Sequence, residues 1–169
     1  VDAGAAPRPA LKEAAVEYLV VKWLHVLSST LLFGTGIGSA WYMLFTSLTR
    51  QPAATAIVVR RVVWADWCFT ATTMVFQPLS GAYLAHLAGM PLSTPWIAWS
   101  FALYALAGLC WLPVVWLQMR MRDIAEAAVA AGQPLPARYF RMLKAWTALG
   151  VPAFFALVAV FWLMVAKPL

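Results

Sequence analysis

Four apolar runs of membrane-crossing length constrain this chain more than any other feature. They cover roughly Tyr18–Leu48, Val62–Met90, Trp96–Met121 and Tyr139–Ala166. Each exceeds the ~20 residues that a helix needs to cross a ~30 Å hydrocarbon core. Inside lipid the backbone must satisfy its own hydrogen bonds, which leaves helices or a closed barrel. The runs are continuous rather than alternating and outlast the ~10 residues of a barrel strand, so they read as helices. Composition agrees: 64% of the 169 residues are hydrophobic and 11% charged, where soluble domains hold about half and about a quarter. A soluble enzyme, a disordered chain and a disulfide scaffold are excluded. The expected fold is all-α, a polytopic four-transmembrane-helix bundle over residues 18–169, after an N-terminal tail over 1–17.

The separators are legible as turns: Arg50-Gln51-Pro52, then Pro91-Leu92-Ser93-Thr94-Pro95, then Gly132-Gln133-Pro134-Leu135-Pro136. The third helix is expected to continue past the bilayer through Arg120–Glu126 to about residue 131, with Arg122 and Glu126 spaced to pair. The first run is too long for the h-region of a signal peptide and reads as a span. Lys and Arg set the orientation. Eight of them lie in the first and third connections, from Arg50 to Arg61 and from Arg120 to Lys144, against four on the other side. The positive-inside rule then puts those connections in the cytoplasm and both termini in the periplasm of a bacterial inner membrane. The net charge of +6 follows these helix ends and forms no basic stripe with interleaved aromatics, so no nucleic-acid partner is expected.

Ionisable groups inside membrane helices are costly and point to function. His25 lies near the outer start of the first helix and His86 near the outer end of the second. Antiparallel packing of consecutive helices is expected to bring these two histidines within about one turn of each other in depth. Imidazole is a common axial ligand of haem iron, so the expected cofactor is haem b held by His25 and His86. Lys22, one turn from His25, is placed to meet a propionate. Met90 or Met164 is the alternative second ligand, and copper bound by His25, His86, Met90 and Met164 is the alternative metal. A cofactor-free structural or assembly subunit is the alternative of another class.

Gly34 and Gly38 form a G-x-x-x-G, a pattern that lets a second helix approach closely. The expected partner is another helix of the bundle or, in a homodimer, a second copy. Asp66 is expected to pair with Arg60, Arg61, Arg50 or Lys144. Pro78 removes a backbone donor and frees the Met74 carbonyl, which Gln77 is placed to satisfy. Cys68 and Cys110 read as buried inert thiols.

Lys22-Trp23-Leu24-His25-Val26-Leu27-Ser28-Ser29, Phe33-Gly34-Thr35-Gly36, Ala65-Asp66-Trp67 and Gln77-Pro78-Leu79-Ser80-Gly81 carry a resemblance. So do Pro91-Leu92-Ser93-Thr94-Pro95-Trp96, Leu112-Pro113-Val114-Val115-Trp116-Leu117-Gln118 and Gly150-Val151-Pro152-Ala153-Phe154. Together they resemble a bacterial family of predicted integral membrane proteins, domain of unknown function 2269. More distantly, Lys22-x-x-His25 before a glycine-bearing apolar stretch is similar to HemJ-type protoporphyrinogen oxidases and to copper-resistance D-type membrane proteins. The first of these are haem b proteins, and what the resemblance implies is His25 as a haem ligand. The HemJ-type proteins also use a lysine in a later helix. This chain has no intramembrane lysine besides Lys22 and the terminal Lys167, so porphyrinogen oxidation is not carried over.

Overall fold

The computed structural model describes residues 8–168. Five α-helices and one π-helical turn follow in order: α1 Arg8–Leu48, α2 Pro52–Ala65, the π-turn Asp66–Thr70, α3 Ala71–Leu87, α4 Pro95–Ala130 and α5 Ala137–Ala166. No strand occurs among the described residues. Three helices are long and apolar enough to cross a membrane: α1 over Lys12–Leu48, α4 and α5. Between them, Pro52–Leu87 stays helical throughout but is broken by the π-turn, where the Ala71 N–H reaches back five residues to the Asp66 carbonyl.

The expected tail is corrected over residues 8–17, which continue α1. Ala and Glu dominate this stretch, and both hold helix well without tertiary help. The remaining tail residues lie outside the described part. Prolines open α2 and α4, where a missing N–H costs nothing. Glycines close α3 and α4. Gly89 (φ 64°) and Gly132 (φ 63°) take the left-handed conformation, and the next N–H, of Met90 or Gln133, bonds back to Ala85 or Ala128 at 2.9 Å.

The helices pack best at one end. Met43, Val59, Val62, Leu117, Met121 and Tyr139 form a buried cluster where α1, α2, α4 and α5 meet. Tyr139 donates to the Ser47 hydroxyl at 2.7 Å, and Ser47 in turn donates to the Met43 carbonyl at 2.6 Å. This polar chain is satisfied link by link inside the core. At the other end the bundle opens. There α1 meets α5 mainly through Phe33, which stacks on Phe154 and meets Phe161 edge-on.

Along the π-turn and α3 a polar stripe faces inward. Asp66, Thr70, Thr73, Gln77 and Ser80 are all buried, at alternating spacings of four and three residues that place them on one helical face. Asp66 accepts from the Thr70 hydroxyl at 2.9 Å and lies against the Gln118 amide. The expected ion pair is therefore corrected: no cation pairs with Asp66 among the described residues, because Asp66 continues the buried face of Val59, Val62 and Val63 while Arg60 and Arg61 lie on exposed faces of the helix. Arg122 pairs with Asp123 at 2.7 Å, and not with Glu126. Cys68 is exposed and Cys110 half-buried, so the reading of both as buried thiols is also corrected. In a bilayer, exposure on the outer face of a helix means contact with lipid.

The glycine motif is corrected as well. A Cβ built on Gly34 or Gly38 meets nothing within 4 Å, so among the described residues no other helix of the bundle closes on this pair, and the expectation that fails is the contact within the bundle.

Candidate functional site

Where the bundle opens, α1, α3, α4 and α5 enclose a cavity of about 420 Å³. Its walls are largely apolar, with His25, Ser29, Gln77 and Tyr104 as the polar groups and Lys22 and Lys167 as the charged ones. Among the described residues no carboxylate lines it. Size and chemistry match the mostly apolar pockets with few placed polar groups that take small molecules and cofactors.

His25 is held by its neighbours on α3. Its Nδ1 lies 2.7 Å from the Ser80 hydroxyl, and that hydroxyl donates to the Phe76 carbonyl at 2.7 Å. The Gln77 amide nitrogen, turned toward α1, reaches the same Nδ1 at 3.0 Å. The Gln77 amide, with its NH2 toward α1, donates to the His25 carbonyl at 3.1 Å while its oxygen accepts from the Ser29 N–H at 3.2 Å. Gly81 makes room: a Cβ there would come within 3.4 Å of His25 Cε1. The remaining nitrogen, Nε2, has no hydrogen-bond partner among the described residues. An imidazole held through Nδ1, with Nε2 left without a partner, is the arrangement that metal-bound histidines share.

The two lysines stand at the rim. Lys22 lies over the Tyr18 ring at 5.8 Å and Lys167 over the Trp96 ring at 5.8 Å. Lys22, Met90 and Met164, singled out from sequence, thus line the same cavity as His25. His86 does not. It is exposed, lies stacked against Tyr83 with ring centroids 6.5 Å apart, and is absent from the cavity wall. The His25–Ser80 bond sets the register of α1 on α3. It leaves His86 about six residues, or ~9 Å, further out along α3. The expected pairing of the histidines fails on depth and on face.

Ser80, Tyr104 and Lys167 carry no signal of a site in their sequence spacing, because only the packing of α3, α4 and α5 brings them to His25 and its cavity. Tyr104 donates to the Met74 carbonyl at 3.1 Å, so it satisfies the group that Pro78 frees, and Gln77 turns to α1 instead.

A haem ligated by both histidines does not fit this arrangement. A haem with His25 on one face does fit, since the cavity offers one anchored imidazole, apolar walls, two thioethers and two rim cations for propionates. No group of three or more His, Cys, Asp or Glu gathers among the described residues, so a bare ion lacks the protein ligand set it takes elsewhere. A macrocycle brings four donors of its own.

Over residues 19–168 the chain matches the family described as predicted integral membrane protein, DUF2269. No curated protein and no solved structure matches it.

Proposed function

The chain belongs to the DUF2269 family of predicted integral membrane proteins, and from that premise we propose that it crosses the membrane four times and holds one haem b in the His25 cavity for electron transfer within the membrane. The observation that carries the cofactor reading is the anchored imidazole: Nδ1 fixed by Ser80 at 2.7 Å and Nε2 without a partner on an apolar cavity wall. His25 would hold the haem iron, Met90 or Met164 would be its second ligand, and Lys22 with Lys167 would meet the propionates. When bound, the haem supplies a one-electron couple. The chain's own part is to orient the imidazole, keep water out and set the charge near the rim.

Four crossings draw support from the exposed aromatic residues. Trp41, Trp64 and Trp116 are exposed on α1, α2 and α4, and Trp23, Tyr83 and Trp99 on the same runs nearer the cavity end. In each run the two lie about eighteen residues apart, ~27 Å along a helix, which matches the spacing of interfacial aromatic belts across a ~30 Å core. Arg120 lies over the Trp116 ring at 5.6 Å, as a cation at an interface does. The eight-to-four division of Lys and Arg favours a cytoplasmic position for this end, with the cavity facing the periplasm.

The test is the absorption spectrum of full-length protein purified after expression with ample haem supply. A Soret band that sharpens on reduction is expected. His25→Ala should abolish it, whereas His86→Ala should leave it unchanged. Ser80→Ala should retain haem with a shifted potential, because it removes the hydrogen-bond partner of Nδ1, and such partners tune ligand basicity. Colourless protein, or a spectrum insensitive to His25→Ala, overturns the haem reading. Metal analysis of the same samples distinguishes copper held by His25, Met90 and Met164.

A second reading, an assembly subunit of a membrane complex, draws support from the open glycine face of α1. Gly34 and Gly38, one turn apart, present backbone with no described residue within 4 Å of a built Cβ, and membrane helices use such faces to meet other helices.

A further inference from the structure

At the end of the bundle remote from the His25 cavity, α1 and α5 diverge around a second hollow of about 840 Å³. Its chemistry changes along its length. Arg50, Arg141 and Lys144 line the part next to the α1–α2 turn, whereas Leu44 and Val151 line the part that runs on toward the middle of both helices. From Lys144 to Val151 the apolar stretch covers about 10 Å of α5. Thr147, within it, spends its hydroxyl on the Leu143 carbonyl at 2.9 Å and adds no free donor.

The three cations have no anion to meet. Among the described residues no Asp or Glu lines the hollow, and the one ion pair joins Arg122 to Asp123 elsewhere. Arg50 is nevertheless held at the rim. It adopts φ 58°, a conformation that non-glycine residues avoid, and its guanidinium lies over the Phe140 ring at 5.1 Å. Cation–π contact of this kind holds a cation without consuming its charge.

We propose that this groove binds one anionic, two-chain phospholipid from the adjoining leaflet, its phosphate among Arg50, Arg141 and Lys144 and an acyl chain along Leu44 and Val151. Charge and shape together select the occupant. A soluble anion leaves the apolar half empty, and a choline headgroup carries a cation into a site that already holds three. Basic pockets between membrane helices bind anionic headgroups by this logic. The site shares no residue with the His25 cavity and does not depend on the cofactor reading.

Native mass spectrometry of the full chain in detergent, titrated with phosphatidylglycerol, phosphatidylcholine or glycerol 3-phosphate, tests the proposal. One phosphatidylglycerol per chain should be retained, phosphatidylcholine should bind at least about tenfold more weakly, and glycerol 3-phosphate should not bind. Each cation at a membrane surface counts for about fivefold in affinity, so Arg50→Gln, Arg141→Gln and Lys144→Gln together should weaken phosphatidylglycerol roughly a hundredfold. Ala148→Trp narrows the apolar part without altering charge and should also release the lipid. Arg138→Gln, a cation outside the groove, should change nothing. Should the triple variant not fold, Arg141→Gln alone, at an exposed position on α5, is expected to cost about fivefold. Equal binding of the two lipids, binding of glycerol 3-phosphate alone, or an Arg138→Gln loss as large as that of Arg141→Gln overturns the proposal.

Discussion

Tyr104 makes the residue-scale argument that is easiest to test. Pro78 has no N–H to give to the carbonyl four residues back, and in lipid no water replaces it. Tyr104 reaches across from α4 and donates to that Met74 carbonyl at 3.1 Å. Tyr104→Phe should therefore destabilise the folded protein by about 1 kcal/mol. Pro78→Ala restores the helical donor and makes the tyrosine redundant. In a double-mutant cycle followed by thermal denaturation in detergent, Tyr104→Phe should cost much less in the Pro78→Ala background. Additive effects would mean that the hydroxyl serves another purpose. The need for a donor at Met74 was legible from Pro78 alone, but its source was not. Gln77 is adjacent in sequence, yet its side chain leaves α3 toward α1, and only the packing of α4 brings Tyr104 to the carbonyl. His25 shows the same limit. Its spacing from Lys22 placed both on one face of α1 without any tertiary information, whereas its contact with Ser80 depends on a register that sequence spacing does not define.

Among the elements, α1 departs most from its sequence reading. Its apolar periodicity located the span, but the helix also takes in Arg8–Glu17, because local propensity sustains a helix where hydropathy no longer marks one. The π-turn at Asp66–Thr70 had no signal at all. One extra residue in a turn changes no composition or period over a window wide enough to read. The glycine face of α1 gives the prediction at this scale. With open space at Gly34 and Gly38, alanine at both should be tolerated. Each replacement should raise helix stability by up to about 1 kcal/mol, seen as an unchanged or higher melting temperature of the monomer. A marked fall, or a change in elution volume, would show that another chain normally occupies that face.

For the whole molecule, the asymmetry between a packed end and an open end fixes what orientation means. If the packed end is cytoplasmic, a thiol reagent that cannot cross the membrane should label cysteine at Ser93 from outside cells and should not reach cysteine at Gln51 or Gln133. Cys68 and Cys110 must first be replaced, since Cys68 is exposed on its helix. The reverse pattern would turn the His25 cavity toward the cytoplasm and the lipid groove toward the opposite leaflet.

The inward polar stripe of the π-turn and α3 also bears on how the protein is made. This segment, leaving the translocon alone, would carry Asp66, Thr70, Thr73, Gln77 and Ser80 into hydrocarbon together, and an acidic group at such a position is among the least favourable to insert. Gln77 and Ser80 find their partners on α1, at His25 and Ser29, which is synthesised first and is already beside the exit site. Asp66 finds its amide partner, Gln118, only on α4. The chain therefore has reason to release α1 and α3 as a pair and to leave the π-turn that carries Asp66 unsettled until α4 arrives, so that integration of the early helices is completed by one made later.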